Sequence, residues 1–306
     1  MEYYNSFNEY LRNLFGCKVH KVSINAGMTC PNRDGTLSSE GCIFCDETGS
    51  AAEPCKPNIP ILTQLENGKK VMREKYKAKK FLAYFQAYTN TYGEPAKLKE
   101  LYRSAIDCED IVGLIIGTRP DCISADVLDV ISDVAHGKYV QIEFGLQSIH
   151  DRSLEYLNRR HTFSDFVKAV ELTRNYPKIK IGAHIILGIG GESEREMIKT
   201  AETISDIGID IVKIHHLHVI KGTKLEQLFL SGAYKPMSVD EYVPLLVTFL
   251  EHISSDIVVD RLVGDRSQDL LVAPKWSIKK RVILNMIETE FINRKTKQGA
   301  KYEKER

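Results

Sequence analysis

The chain is 306 residues long, with 43% hydrophobic and 27% charged side chains and a net charge of +1, which suits one large α/β barrel or two small domains around a sizeable core. No apolar run approaches the ~18 residues of a membrane span, and the opening MEYYNSFNEYLRNLF lacks the basic-then-apolar pattern of a secretory signal, so a cytoplasmic location is expected. In that compartment seven cysteines are ligands or buried thiols rather than disulfides.

In chain order, six β-rich runs alternate with helical stretches. The strands are expected over residues 18–26 (KVHKVSINA), 81–87 (FLAYFQA), 111–118 (IVGLIIGT), 139–146 (YVQIEFGL), 180–187 (KIGAHIIL) and 210–217 (DIVKIHHL). Runs apolar on both sides are those of parallel strands covered on both faces. Helical spacing of apolar residues predicts helices over 125–135 (after Ser124 as N-cap), 163–176 and 194–207. This alternation favours a barrel or an open parallel sheet. Beyond residue 236 a helix is expected over 239–252, a short strand over 256–260 and a second helix over 277–293, followed by a polar, frayed tail. We therefore divide the chain into 1–236 and a C-terminal extension, 237–306. The net charge conceals two basic runs: residues 69–80 carry seven Lys/Arg against one Glu, and residues 279–306 carry nine against four. Each is either a solvated helix face or a contact for an anionic partner such as RNA.

The most informative stretch directly follows the first strand: Cys30-Pro-Asn-Arg-Asp-Gly-Thr-Leu-Ser-Ser-Glu-Gly-Cys42-Ile-Phe-Cys45. In parallel α/β folds the loops after strands form the functional face. Two thiolates separated by two residues can share one metal centre, and the third lies across a loop whose Gly35 and Gly41 permit tight turns. A closed iron–sulfur or zinc site has four protein ligands. Three cysteines leave one iron of a [4Fe–4S] cube open for S-adenosylmethionine (SAM), whose amino and carboxylate groups can chelate it. The competing reading is structural zinc, with Cys55 or a histidine as fourth ligand, in a nucleic-acid-binding module without catalysis. Phe44, before the last cysteine, suits a cover over the adenine or simple packing. Cys17, Cys108 and Cys122 lack partner spacing and are expected to be buried thiols.

Further along stand FQAYTNTY (85–92), GTRPDCI (117–123), EFGLQS (143–148), LNRRHT (157–162), HIILGIGGE (184–192), VIKGTKLEQL (219–228) and RLVGDRSQDLLVAPKW (261–276). Together with the cysteine loop these resemble the radical SAM superfamily, and within it a bacterial family related to the catalytic subunit of Elongator, over residues 18–276. The resemblance implies a partial (β/α)6 TIM-like barrel, a [4Fe–4S] cluster on Cys30, Cys42 and Cys45, bound SAM cleaved to a 5′-deoxyadenosyl radical, and an electron donor such as flavodoxin or ferredoxin. It also points to a tRNA substrate, modified at the wobble uridine, with a small molecule or peptide as the alternative. Two departures stand against wholesale transfer. The chain leaves no room for the Elongator subunit's acetyltransferase domain, and it has Gly117 where that motif is acidic.

Each motif falls at the C-terminal end of an expected strand. Gln86 and Asn90 can donate to and accept from the amino-acid end of SAM, or complete a turn. Glu143 can accept from both ribose hydroxyls, or form a buried ion pair with Arg159. Gln147 can reach the methionyl group, and Arg159 can pair with the SAM carboxylate or lie on a surface helix. Gly188 begins a glycine turn that resembles the superfamily's adenine contact, though glycines also end strands. His216 and His218 share a strand face and His215 points away, which argues against a three-histidine metal site. His184 faces either the barrel interior or a helix.

Overall fold

The computed structural model describes residues 3–49 and 55–303. The elements in chain order are α1 (Phe7–Phe15), β1 (Val19–Ile24), α2 (Ile61–Tyr76), β2 (Lys80–Phe85), α3 (Pro95–Ile106), β3 (Ile111–Thr118), α4 (Ala125–Ala135), β4 (Tyr139–Gln147), α5 (Asp151–Tyr156), α6 (Phe163–Arg174), β5 (Ile179–Leu187), α7 (Glu194–Ile207) and β6 (Ile211–His216). They continue with β7 (Val219–Ile220), α8 (Lys224–Leu230), α9 (Val239–Glu251), β8 (Val258–Arg261), β9 (Leu271–Ala273) and α10 (Lys280–Arg294). The seven strands β1-β2-β3-β4-β5-β6-β8 pair in parallel in that order. They form a curled half-barrel whose edge strands, β1 and β8, do not pair with each other.

The expected alternation is present, with one addition. The short strand expected in the extension is the seventh strand of the main sheet, paired with β6. Residues 237–306 thus supply both a sheet edge and two covering helices, α9 beside α7 and α10 beside α9. The main core lies between sheet and helices. It includes Phe85, Phe144, Phe166, Ile204 and Phe249, and the lattice of apolar side chains on the outer strand faces accounts for the near-continuous hydrophobic runs. Capping is visible in the sequence as Ser/Thr followed three residues later by an acid: Thr162 with Asp165, Ser193 with Glu196, and Ser238 with Glu241 each form a reciprocal capping box.

Three features depart from expectation. The aromatic N-terminal stretch forms α1, whose Phe7 and Leu11 pack with Leu82, Tyr84, Ile115, Ile211 and Val258 as an apolar floor at the end where the strands begin. The basic run 69–80 spans the second half of α2 and the start of β2. That is the end opposite the strand C-termini, and its Lys69 is buried, bonded to the Glu109 carbonyl at 3.0 Å and paired with Glu66 at 2.5 Å. The tail is docked rather than frayed through residue 303. Buried Gln298 donates to the carbonyls of Ser254 (2.7 Å) and Ile257 (2.8 Å) and accepts from the Asn5 amide (2.9 Å). Residues 304–306 lie outside the described residues. No helix among the described residues is long and apolar enough to cross a membrane.

Candidate active site

Above the apolar floor the half-barrel carries a polar layer centred on Glu143, whose side chain is 1% exposed. Its carboxylate accepts from Tyr84 Oη (2.8 Å), Gln141 Nε2 (2.9 Å) and Lys213 Nζ (3.0 Å), and lies 2.6 Å from His184 Nε2. Lys213 also donates to Tyr84 Oη at 2.6 Å. Lys21 sits 3.8 Å from Glu143 and pairs with Asp260. Burial alone would raise the Glu143 pKa, yet Lys213, Lys21 and His184 together hold it well below the usual carboxylate range. Burial outweighs Glu143 at Lys213 and lowers it to about 8. The 3.0 Å contact supports a charged, mutually compensated pair. Glu143 thus pairs with Lys213 rather than Arg159, and both of its oxygens are engaged within the chain.

Above this layer opens a cavity of about 200 Å³ at the C-terminal ends of the strands. Cys30, Cys42 and Cys45 line it, as do Phe44, Gln86, Glu143, Gln147 and Arg159. Two expected residues do not. Asn90 is buried, its amide nitrogen donating to the carbonyls of Ala87 (3.0 Å) and Gly117 (2.9 Å) in a turn while its Oδ1 is enclosed without a partner. Gly188 ends β5 with φ +84 and lies against Met237, where an added Cβ would come within 2.8 Å of the sulfur.

The cysteine loop is set by its neighbours. Asn158 donates to the Gly41 carbonyl (2.7 Å), Ile43 N to the Leu157 carbonyl (3.1 Å), Leu225 N to the Ile43 carbonyl (2.8 Å), and Asn32 to the Asn158 carbonyl (2.7 Å). The segment LNRRHT is therefore a buttress. Its Arg159 is 8% exposed rather than a surface side chain, and donates to the Gly145 carbonyl (2.8 Å) and toward Cys42 Sγ (3.4 Å). Gly145 leaves the room that Arg159 fills: a Cβ there would lie 2.8 Å from the guanidinium and displace it. Arg119, from GTRPDCI, pairs with Asp121 and donates to the Arg159 carbonyl (2.8 Å).

These residues fit a cluster with SAM. Asn32 Nδ2 (3.5 Å) and Arg159 (3.4 Å) both point donors at Cys42 Sγ, which suits a thiolate ligand. Burial and the neighbouring Cys42 push the Cys45 thiol up to about 12, so its thiolate needs a nearby positive charge such as a metal centre supplies. Gln147 Oε1 and Arg159 Nε are enclosed without partners in residues that line the cavity. Zinc fits less well. Among the described residues, no three His, Cys, Asp or Glu side chains are arranged to hold a single metal ion. Cys55 lines no part of the cavity, and its thiol donates to the Ser23 carbonyl at 3.1 Å. Cys17, Cys108 and Cys122 are half-buried rather than buried.

The histidines divide. His184, His215 and His218 line the cavity, while His216 packs edge-on against His218 (4.1 Å) and tilted against Trp276 (4.3 Å). Burial, then Lys213, pushes His184 down to about 4, and burial, then Arg261, pushes His216 down to about 3. Folded, these rings stay neutral while their unfolded counterparts gain protons below pH 6.5. Their stabilising contribution is thus complete above pH 6.5 and is lost as pH falls toward 4 and 3. The iron-free protein should lose on the order of 1.4 kcal/mol per pH unit for each ring across that window. Urea unfolding at pH 7.5, 6 and 5 measures the slope, and His216→Phe should flatten it.

Lys213, Arg119 and Arg261 are among the lining residues that were not singled out from the sequence. The signal for Lys213 was a lone lysine inside the apolar run DIVKIHHL.

Comparison with known proteins places this geometry. The Radical SAM superfamily profile matches residues 29–204, and a Radical_SAM C-terminal domain profile matches 209–293. The chain belongs to the radical SAM superfamily, and is an enzyme whose cofactors are a [4Fe–4S] cluster and SAM. It is 38% identical to YtqA of Bacillus subtilis (strain 168) over 296 residues, covering 97% of this chain and 92% of that one. It is 32% identical over 139 residues to a tRNA uridine(34) acetyltransferase of Methanocaldococcus jannaschii, covering 44% of this chain and 25% of that one. The archaeal Elp3 of Methanocaldococcus infernus, lacking residues 1–46, shares its fold with a TM-score of 0.69 at 19% identity, over 92% of this chain and 64% of that one.

Proposed function

We propose that Cys30, Cys42 and Cys45 ligate the cluster, and that the enzyme uses it to modify a base of tRNA, the wobble uridine, in the cytoplasm. The observation that carries the reading is the convergence of these three cysteines on one cavity with Gln86, Gln147 and Arg159. Bound there, the cluster and SAM supply a 5′-deoxyadenosyl radical once a donor such as flavodoxin or ferredoxin delivers an electron. Residues of this chain do the rest. Arg159 and Gln147 offer polar atoms to the amino-acid end of SAM, Phe44 covers its adenine, and Glu143 holds Lys213 and His184 in place beneath. Residues 1–236 carry the cofactors, and 237–306 add Arg261, Gly264, Asp265 and Arg266 to the cavity wall.

The RNA reading rests on the similarity to the uridine(34) acetyltransferase and on charge beside the cavity. A loop base is already partly unstacked and costs less to extract into a barrel than a paired one. Of the two basic runs, 69–80 lies at the opposite end of the sheet, whereas Lys279, Lys280 and Arg281 begin α10 near the cavity, with Lys280 3.7 Å from the lining residue Asp265. Phosphate contacts weaken steeply with salt. Lys280→Glu with Arg281→Glu should weaken tRNA binding about ten-fold and flatten its salt dependence, while Lys77→Glu with Lys79→Glu should leave both unchanged. Nucleosides of tRNA from cells with and without the gene provide the direct test. An unchanged profile, with no salt-sensitive tRNA binding, would defeat the RNA reading and leave the small-molecule or peptide alternative.

A further inference from the structure

One part of the cavity wall is cationic in a way the SAM contacts do not explain. Arg261 ends β8, beside Lys213 in register on β6, and lines the cavity. Among the described residues its side chain makes no hydrogen bond and no ion pair, and its Nε is enclosed without a partner. Every acid nearby is already held. Glu143 is bound by Lys213, Tyr84 and His184, Asp260 by Lys21, and Asp265 lies 3.7 Å from Lys280. His218, also lining the cavity and 8% exposed, has an unpartnered Nε2. Its ring is pinned by the chain passing over it at Gly264, where a Cβ would come within 2.2 Å of Cε1. A half-buried guanidinium without a counter-charge is open to an anionic group, and its fork of N–H donors matches an oxyanion.

We propose that Arg261, with His218 beside it, anchors an oxyanion carried by the substrate, a carboxylate or a phosphate. This deepens the reading of the cavity as the active site and rests on it. On a tRNA the two sources are an acidic substituent on the base and a backbone phosphate. The seventh strand then has a role in specificity: it sets a fixed positive charge in the cavity wall, so that a substrate bearing a matching anion is held there in preference to one without.

The test uses the reconstituted enzyme with SAM bound and two probes, acetate and inorganic phosphate, titrated by calorimetry into wild type and Arg261→Gln. At least one anion should bind about ten-fold more weakly to the variant, the scale of a lost charge-assisted contact. A loss confined to acetate assigns a carboxylate, and one confined to phosphate assigns a phosphate. Equal binding by both proteins, or none by either, overturns the proposal. Should Arg261→Gln not fold, phenylglyoxal labelling of wild type, mapped by peptide mass, replaces it. Acetate or phosphate should slow the adduct at Arg261 about ten-fold, and no protection by either overturns the anchor. Cleavage of SAM without substrate, assayed in the same preparations, reports on the radical chemistry separately, so failure of the anchor and failure of the active-site reading are distinguishable.

Discussion

Replacing Cys42 with alanine is expected to remove the iron–sulfur cluster altogether, and Cys30→Ala or Cys45→Ala should do the same. A cube held by three thiolates and SAM has no spare protein ligand, because Cys55, the remaining cysteine near the loop in sequence, turns its thiol to the Ser23 carbonyl. The variants should stay folded, since the loop's backbone is held by Leu157, Asn158 and Leu225 rather than by the cysteine side chains. Iron and sulfide content after anaerobic reconstitution, with 5′-deoxyadenosine production, provides the measurement. Cys55→Ala should match wild type in both. Iron retained by Cys42→Ala at the wild-type level, or lost from Cys55→Ala, would show that the ligand set is different.

The second large effect concerns stability. Glu143→Ala should destabilise the iron-free protein by about 3–5 kcal/mol, the cost of breaking a buried pair and stranding its partner. The partner here is Lys213, 7% exposed, with Lys21 also close by. Coupling Glu143→Ala to Lys213→Met should recover much of the loss, because the stranded charge goes with it. Urea midpoints of the two single variants and the double variant provide the cycle. Additive effects in the double variant would mean that the two side chains act independently, contrary to their 3.0 Å contact.

Much of this was legible because it is local. Strands apolar on both faces announced a covered parallel sheet, and β3, α4, α6 and α7 fell within two residues of expectation, whereas the short α5 was not expected. The cysteine spacing pointed to one loop after β1, and Cys30, Cys42 and Cys45 of that loop line one cavity. What escaped was decided by contacts between distant residues. Whether Arg159 is buried depends on Gly145 leaving room for it, and whether Glu143 faces Arg159 or Lys213 depends on how β4 and β6 curl toward each other across β5. Likewise 69–80 is simply a block of positive charge until α2 is oriented against the strands, and only then does its distance from the cavity appear. The extra sheet strand went unplaced because Val258–Arg261 is short, and four residues carry too little periodicity to assign a neighbour.

The bonds that shape the cysteine loop have a bearing on how such an enzyme survives air. They join chain atoms to chain atoms: Asn158 to Gly41, Ile43 to Leu157, Leu225 to Ile43. Oxygen that strips the iron attacks none of them, so the emptied loop remains a mould. Iron and sulfide supplied to air-exposed protein after re-reduction of its thiols should therefore restore the cluster content of a fresh preparation, so that an oxygen-damaged molecule is mended rather than replaced.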